Sequence, residues 1–415
     1  MRKVLILSAV FSTVGVSFAT NGDNLIGVSP ASRGMGGIGV GMPVGPTDSI
    51  FRNPAWMSYY KGFNLSFGGI VFMPHVKAKT NLTPIGPFNP PASATSKADL
   101  FVVPEVGIVN QINEKLTFGI GAFGVSGMGV DYRNKDPRLA NMHTTMQFMR
   151  VIPSLSYKVN DAVYVGGGID LAYGSLDMGA NMCQPMTTNC WNAGGGQSQT
   201  YGIGAQIGLA YNMGDFVFAG LNYQSPVSMT YKKVFDSNGD GHFEDFKLTQ
   251  PQEFALGLGV RPMENLKVGM DIRWINWKNA KGYKEFLWKD QWVIAVGGEY
   301  RPIPKLALRA GYNYGKSPIR GGSKNLMNAN HIPNFSAPFS DFQVAWFNLI
   351  GFPAVAEQHV TLGLGYEFTP HFSVDLAYKH AFEKTVKATD NMGFGFLAEG
   401  KNAQDAISVG LNWKF

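Results

Sequence analysis

Apolar and polar residues alternate one by one along much of the chain. The last segment shows this most clearly, because Ile407, Val409, Leu411, Trp413 and Phe415 alternate with Ser408, Gly410, Asn412 and Lys414. A two-residue period is typical of a β-strand with one apolar and one polar face. The pattern predicts fourteen strands, which begin near residues 62, 99, 115, 146, 161, 199, 215, 246, 264, 290, 305, 357, 371 and 403.

The segments between these strands alternate in length. Short turns such as 160–161, 213–215 and 302–304 are followed by long loops such as 179–198 and 316–356. An outer-membrane barrel has this arrangement, with short periplasmic turns and long extracellular loops. A soluble β-sandwich gives no reason for such sorting.

The composition agrees with a membrane protein. Apolar residues make up 45% of the chain and charged residues only 15%, whereas soluble domains average about 25% charged residues. After the first twenty residues, no apolar stretch is long enough for a membrane helix, so a closed sheet is the remaining way to span a bilayer. We therefore predict an all-β fold, a fourteen-stranded antiparallel transmembrane β-barrel. The net charge of +6 is scattered along the chain, which does not favour nucleic acid as a partner.

The N-terminus has the pattern of a secretory signal. Arg2 and Lys3 precede an apolar run, and Ser17, Phe18 and Ala19 resemble a small-x-small cleavage site. We expect residues 1–19 to be a signal peptide, and the mature protein to lie in a Gram-negative outer membrane.

Several segments resemble one family of outer-membrane proteins. These are a glycine-rich N-terminal stretch followed by FRNPAWMS (51–58), LTFGIGAFGVSGMGVDY (116–132) and FNLIGFPAVAEQHVTLGLGY (347–366). Together they are similar to the FadL/TodX-type transporters of long-chain fatty acids and aromatic hydrocarbons. The resemblance implies an N-terminal hatch at residues 20–60 inside a barrel at residues 61–415. It also implies passive uptake of a hydrophobic small molecule, no catalysis and no cofactor.

The glycine-rich stretch has two interpretations. Gly34, Gly36 and Gly39 have the G-x-G-x-x-G spacing of a dinucleotide-binding turn, but no strand, helix or acidic residue stands where that motif requires it. In a hatch, glycines instead let the backbone approach the barrel wall closely. The remaining alternative is that they are ordinary loop glycines.

The resemblance also implies an exit route. Glycine-rich strand three permits a kink that opens the barrel wall at Phe123, Gly124 and Gly127. We expect the hatch residues Asn53, Pro54 and Ala55 to face residues 123–127. Substrate binding would then move the hatch and release the substrate sideways into the membrane.

Arginines and aromatic residues are the candidate substrate contacts. By strand parity, Arg150, Arg273 and Arg309 point into the lumen, where a guanidinium group holds a carboxylate well; alternatively, they are solvated or paired with lumen acids. The loop aromatics Phe335, Phe339, Trp346 and Phe347 predict either an entrance surface or packing over the barrel mouth.

Two loop features concern crosslinking and metal binding. Cys183 and Cys190, the only cysteines, favour a disulfide in an oxidising compartment. The loop residues Asp236, Asn238, Asp240 and Glu244 resemble a calcium loop, but Lys247 stands where the final glutamate belongs. We therefore expect a hydrated turn, or at most a weak calcium site.

Two other functions remain as alternatives. A general diffusion porin would also be a barrel, although it needs no hatch. An outer-membrane lipid hydrolase is less favoured, because no nucleophile motif accompanies His359 and His371. The expected partners are a hydrophobic small-molecule substrate and outer-membrane lipid, and we expect a monomer.

Overall fold

The computed structural model describes residues 21–83, 86–184 and 187–415, so the predicted signal segment 1–19 lies outside the described residues. Fourteen long strands within these residues form the barrel. They are β1 (Phe63–Thr83), β2 (Phe101–Gln111), β3 (Leu116–Asp131), β4 (His143–Lys158), β5 (Val163–Gly179), β6 (Ser198–Met213), β7 (Val217–Gln224), β8 (Glu253–Met263), β9 (Leu266–Ile275), β10 (Gln291–Ile303), β11 (Leu306–Gly315), β12 (Gln358–Thr369), β13 (Phe372–Asp390) and β14 (Leu397–Lys414).

Each barrel strand pairs antiparallel with its neighbours, and β14 pairs with both β13 and β1, which closes the sheet. Apolar side chains such as Ile203 and Leu362 point outward and are more than 60% exposed. Their immediate chain neighbours, such as Gly202 and Thr361, are small or polar and point inward. The predicted fourteen-stranded barrel is therefore confirmed, with no edge strand left open.

One strand boundary differs from the prediction. The sequence pattern predicts an eighth strand from residue 246, but β8 begins at Glu253. Residues Glu244–Gln250 instead pair with Val227–Phe235 in a hairpin of the preceding loop. Phe246 and Leu248 are buried in the apolar cluster at the barrel mouth, and because of this packing the apolar alternation continues outside the wall.

The N-terminal segment, residues 21–60, lies inside the barrel. It contains helix α1 (Pro30–Gly34), helix α2 (Pro46–Arg52) and a 3-10 helix (Pro54–Tyr59). Ser29 caps α1 by accepting a hydrogen bond from the Ser32 amide. Proline at the first position of all three helices fits their starts, because that position needs no amide hydrogen.

Glycines of the N-terminal segment meet glycines of the barrel wall. A Cβ atom on Gly34 would lie 2.8 Å from the Gly363 Cα, and one on Gly257 would lie 2.5 Å from the Gly41 Cα. Neither approach leaves room for a side chain. The stretch that resembles a dinucleotide motif is therefore in close contact with the wall, and Asp271 holds it by accepting the amides of residues 39–41 at 2.8–2.9 Å.

The long loops cover the end of the barrel that lies opposite the short turns. They contain helix α3 (Asp341–Trp346), a π-helix (Phe347–Gly351), 3-10 helices at Pro137–Leu139 and Trp277–Asn279, and short strands at Gly86–Thr95, Asn181–Cys183, Cys190–Asn192 and Gly322–Lys324. No helix of the described residues has the length and apolar character needed to cross a bilayer.

The loop aromatics are buried beneath this cover. Phe335, Phe339, Trp346 and Phe347 are each 8% exposed or less, and Phe347 packs edge-on against Phe235 and Phe339. The prediction of an exposed entrance surface at these four residues was wrong, because they fill the mouth of the barrel from within. Packing over the mouth was the correct alternative.

Candidate functional site

Strand β3 separates from β2 part-way along its length while it stays paired with β4. Its pairing with β2 ends at the pair Phe123 and Glu105, and its register with β4 shifts between Gly124 and Ser126. Up to Phe123 its residues alternate between buried and partly exposed, whereas every residue from 123 to 130 is buried. A strand that is buried on both faces has turned inward, so the wall is interrupted between β2 and β3.

The N-terminal segment occupies this interruption. The Leu25 amide donates to the Val125 carbonyl at 2.9 Å, and the Gly127 amide donates to the Asp23 carbonyl at 3.1 Å. Asn24 and Ser126 form an antiparallel bridge between these bonds. Residues 23–25 thus replace β2 as the hydrogen-bonding partner of β3.

Asn53, Pro54 and Ala55 lie elsewhere. The Asn53 amide donates to the carbonyls of Val40 and Leu209 at 3.1 Å, and Ser156 donates to the Ala55 carbonyl at 2.9 Å. These contacts place the tripeptide against β4, β5 and β6, where Gly166 and Gly208 leave space for it. The prediction that it faces residues 123–127 was wrong; the only ring of this segment near Phe123 within the described residues is Phe51, at 6.0 Å between centroids.

A small cavity lies beside the interrupted wall. Arg52, Arg150 and Arg273 line it, together with Phe51, Leu25, Val125 and Glu253. Two of the three arginines predicted from strand parity are therefore brought together, and Arg52 of helix α2 joins them. The guanidinium groups of Arg52 and Arg150 lie 5.0 and 6.0 Å from the Phe51 ring centroid.

These three guanidinium groups are only partly hydrogen-bonded, although Arg52 donates to the Leu25 carbonyl at 3.3 Å. Arg150 donates to Asp170 and Gln224 at 3.0 Å, while Arg273 and Arg52 lie 3.3 and 3.6 Å from the carboxylate of Glu253. The Nε atoms of all three arginines and one Nη of Arg273 are buried and find no hydrogen-bond partner among the described residues. Burial lowers the pKa of Arg52 to about 10. Unpaired buried donors are costly, so this cavity is suited to an acceptor group.

Arg309 lies apart from this cavity. Its guanidinium group donates to Glu299 at 2.7 Å and to Asp375 at 2.5 Å. Its positive charge is therefore already paired with two carboxylates. It faces a polar cavity of about 1030 Å³ at the short-turn end of the barrel, beneath helices α1 and α2. Mutual pairing, the alternative considered from the sequence, describes Arg309.

An apolar cavity lies between the arginines and the loops. Met128, Met146, Phe246, Phe286 and Phe352 contribute to its lining. Its floor contains Tyr283, which donates a hydrogen bond to Asp23 and accepts one from Gln250 at 3.0 Å. Gln250 also lines the arginine cavity, so this polar cluster separates the two spaces.

Neither interior cavity is large enough for a hydrophobic substrate in this conformation. The apolar cavity has about 30 Å³ and the arginine cavity about 10 Å³, and the smaller value is about the space of one water molecule. Access for a larger molecule requires the surrounding segments to move.

The family model described as outer membrane protein transport protein (OMPP1/FadL/TodX) matches residues 26–333. The chain belongs to this family. It is consequently an outer-membrane β-barrel transport protein, as the resemblance in the sequence implied.

Sequence relatives agree with this assignment. Outer membrane protein P1 of Haemophilus influenzae is 21% identical over 394 residues, covering 81% of this chain and 80% of P1. The long-chain fatty acid transport protein of Escherichia coli is 22% identical over 410 residues and covers 85% of both chains.

Solved structures share the fold. A FadL homologue of Pseudomonas aeruginosa superposes with a TM-score of 0.69 at 18% identity, covering 95% of this chain and all of the homologue. The toluene transporter TodX of Pseudomonas putida gives a TM-score of 0.66 at 19% identity, with coverage of 94% and 99%.

The structure defines the geometry of the disulfide and of the turn that resembles a calcium loop. Cys183 and Cys190 form a disulfide between two short strands. Asp236 accepts the amides of Gly239 and Gly241 at 2.7 and 3.0 Å, and Asn238 donates to Asp240 at 3.0 Å. Glu244 accepts the amides of Ser237 and Ser336. Among the residues described, no group of three or more acidic, histidine or cysteine side chains is arranged to hold a metal ion.

Sequence reasoning missed Asp23, Arg52 and Tyr283. The N-terminal segment contains only four charged residues, Asp23, Arg33, Asp48 and Arg52, and each is buried in the barrel. A charge on a segment expected inside a barrel needs a partner or a ligand. This expectation applies equally to all four residues and does not single out Arg52. No sequence pattern marks Tyr283, which lies in the loop between β9 and β10.

Proposed function

We propose that this transporter takes up long-chain fatty acids passively across the outer membrane. The observation that carries the proposal is the arginine cavity, where buried guanidinium donors lie next to apolar residues and the interrupted wall. A carboxylate would supply the missing acceptors, and charge-assisted hydrogen bonds of this kind are stronger than neutral ones. An aromatic hydrocarbon, the cargo named for TodX, would leave these donors unpaired.

We further propose that the N-terminal segment acts as a hatch and that the substrate leaves sideways. Residues 23–25 close the gap between β2 and β3 with only two backbone hydrogen bonds to β3, so their release would connect the arginine cavity to the membrane. Exit into periplasmic water would cost about 0.8 kcal/mol for each re-exposed methylene. Lateral release avoids this cost and needs no energy source.

A reversible crosslink tests the hatch. Asn24→Cys and Ser126→Cys occupy bridged positions, and paired antiparallel residues have Cα separations compatible with a disulfide. The oxidised variant should not take up fluorescent fatty acid into cells, and reductant should restore uptake. A matched control, Ile272→Cys/Ile294→Cys, joins paired wall residues of β9 and β10 and should transport in both states.

Wild-type protein treated with the same reductant controls for loss of the native disulfide. Uptake by the oxidised Asn24/Ser126 variant at the wild-type rate would refute hatch movement at this place. Liposome swelling with sugars separates the porin alternative. We expect no swelling, because the apolar cavity and the arginine cavity are too small for a sugar.

We propose that transport requires no cofactor and that the protein acts as a monomer. The 236–244 turn is held by its own hydrogen bonds, so we expect calcium to bind weakly at most. Calorimetry of wild type and Asp240→Ala should give equal heats; a calcium-dependent heat lost in the variant would establish a site.

A further inference from the structure

Lysines gather on the outward face of the sheet where β13, β14 and β1 rise toward the loops. Lys77 of β1 is the direct partner of Lys401 of β14, and Lys79 is the partner of Glu399. Glu399 is in turn the partner of Lys387 on β13. We call Lys77, Lys79, Lys387 and Lys401 the basic patch.

The basic patch points toward the membrane side of the wall. On β1, Ile70, Phe72, Val76 and Ala78 are buried in the interior, whereas Phe67 and Val71 of the opposite parity are exposed by 55% and 38%. Lys77 and Lys79 share that outward parity. The side chains of Lys387 and Lys401 are 63% and 37% exposed.

The position of the basic patch along the barrel axis follows from the exposed apolar residues that come before it on the same strands. We call these residues the apolar belt. Val71 pairs with Ile407 and Tyr378 pairs with the same residue, and all three are exposed apolar side chains of the belt. Phe382 is 46% exposed and precedes the patch on β13. The lysines therefore begin where the belt ends, on the side of the long loops. In an outer-membrane barrel that side faces the outer leaflet.

The charges in the patch are only partly balanced. Glu399 lies 3.2 Å from Lys387 and 4.0 Å from Lys401, and Glu383 lies 3.7 Å from Lys401. Among the described residues, the ion pairs of this patch are made by Lys387 and Lys401, with none to Lys77 or Lys79. Like charges directly opposite each other on paired strands destabilise a sheet. The pair of Lys77 and Lys401 is therefore an arrangement that an added anion would stabilise.

Other loop-side ends of the wall are different. Strands β6, β8 and β10 present Tyr201, Phe254 and Trp292 there, with exposed fractions of 77%, 48% and 63%. Such aromatic residues are the usual interfacial anchors of a barrel. The basic patch is thus a local replacement of the aromatic girdle on three neighbouring strands.

We propose that the basic patch binds the phosphate groups of lipopolysaccharide in the outer leaflet. Lysine binds phosphate as a mobile point charge, and the belt below supplies the apolar surface that acyl chains need. A phosphate between Lys77 and Lys401 neutralises the like-charged pair. Asp405 lies two outward-facing rows below Lys401 and does not oppose this strongly, because Tyr378 and His380 donate to it and His75 lies 3.4 Å away.

The binding site is tested with purified full-length protein in detergent. The variant Lys77→Gln/Lys401→Gln removes the opposed pair, and Lys115→Gln/Lys305→Gln removes two exposed lysines at the short-turn end as a matched control. Binding is measured by native mass spectrometry with four probes: lipopolysaccharide, the same lipid after enzymatic removal of its phosphates, phosphatidylglycerol and inorganic pyrophosphate.

We expect wild type and the control to bind lipopolysaccharide, and the patch variant to bind it at least tenfold more weakly, because each lysine near an anionic lipid contributes about fivefold. Dephosphorylated lipid should bind wild type as weakly as the variant binds the intact lipid. Without lipid, the patch variant should be at least as heat-stable as wild type, because its like charges are gone. Unchanged or higher heat stability of the patch variant distinguishes lost binding from lost folding. Lys77→Gln alone provides a milder variant.

Three results would overturn the proposal. Equal binding of lipopolysaccharide to the patch variant and wild type would show that these lysines do not hold it. Binding of phosphatidylglycerol to wild type as tight as that of lipopolysaccharide would show that any anionic lipid suffices. Competition by pyrophosphate as strong as that of the whole lipid would make the site one for free phosphate.

Discussion

The hydroxyl of Tyr283 donates a hydrogen bond to the carboxylate of Asp23, and this contact joins the N-terminal segment to the loop between β9 and β10. Asp23 also accepts the Gly127 amide through its carbonyl. One residue therefore connects the floor of the apolar cavity to the interrupted wall. A change at Asp23 should alter both contacts together.

The first prediction concerns pH. Burial raises the pKa of Asp23 to about 6 from 3.8. The folded state therefore binds a proton more tightly than the unfolded state, and the associated stability is complete below pH 4 and is lost as the pH rises through 6. A shift of two pKa units corresponds to about 3 kcal/mol at most. Docking of residues 23–25 should weaken between pH 4 and pH 7.

Hydrogen exchange at the Gly127 amide measures this docking. After correction for intrinsic exchange rates, protection in wild type should fall across that pH range, whereas Asp23→Asn should stay protected. Asp48, whose pKa burial also raises to about 6, provides the control, because Asp48→Asn lies outside the β3 contact. A pH-independent wild-type amide would contradict the prediction.

The second prediction concerns the close approach of glycines. In Gly257→Ala, the added Cβ would overlap Gly41 and the Asp271 carboxylate. Because backbone and not a flexible side chain is in the way, the N-terminal segment must shift. Protease should then cleave that segment faster, and the melting temperature should fall. Gly298→Ala, whose Cβ would meet nothing closer than 3.2 Å, should behave as wild type; equal protease resistance of both variants would argue against tight packing.

The barrel was predictable from the sequence because its strands carry a strict period of two. Residues that face the apolar belt are mostly apolar and the periplasmic turns are short, so the surroundings of residues such as Ile407 and Val409 can be inferred from the alternation alone. The same logic failed at Phe246, since an apolar alternation also suits a hairpin buried in the barrel mouth. It failed again at Asn53, because no local pattern tells which of several glycine-lined strands a tripeptide will meet.

The candidate site was predictable only in part. Strand parity assigned Arg150 and Arg273 to the lumen, and both line one cavity. It assigned Arg309 to the lumen as well. Parity does not tell where along the barrel axis a residue lies, and Arg309 is paired with Glu299 and Asp375 at the short-turn end. The contribution of Arg52 depends on how the N-terminal segment folds back, which only the three-dimensional structure shows.

The third prediction separates acids from hydrocarbons. Replacing Arg273 by Gln removes a guanidinium with two unpaired buried nitrogens, and a charge-assisted hydrogen bond contributes about 1.5–3 kcal/mol. Affinity for a long-chain fatty acid should fall by roughly 10- to 100-fold, whereas affinity for the alkane of equal length should hardly change. The alkane is thus the internal control. An equal loss for both ligands would mean that the substitution damages packing and that no carboxylate binds there.

The last prediction concerns the exit through β3. Residues 124–130 have lost their β2 partner and bend inward, and Gly124 and Gly127 flank the register shift. Valine favours regular strands, so Gly124→Val/Gly127→Val should straighten this part of β3 and obstruct the gap. We expect fatty-acid uptake to be blocked at wild-type surface expression, while binding to purified protein persists. Gly298→Val on the outward face of β10 controls for valine in the wall. If the double variant transported at the wild-type rate, the substrate would have to pass helices α1 and α2 into the polar cavity at the short-turn end, and lateral exit would be wrong.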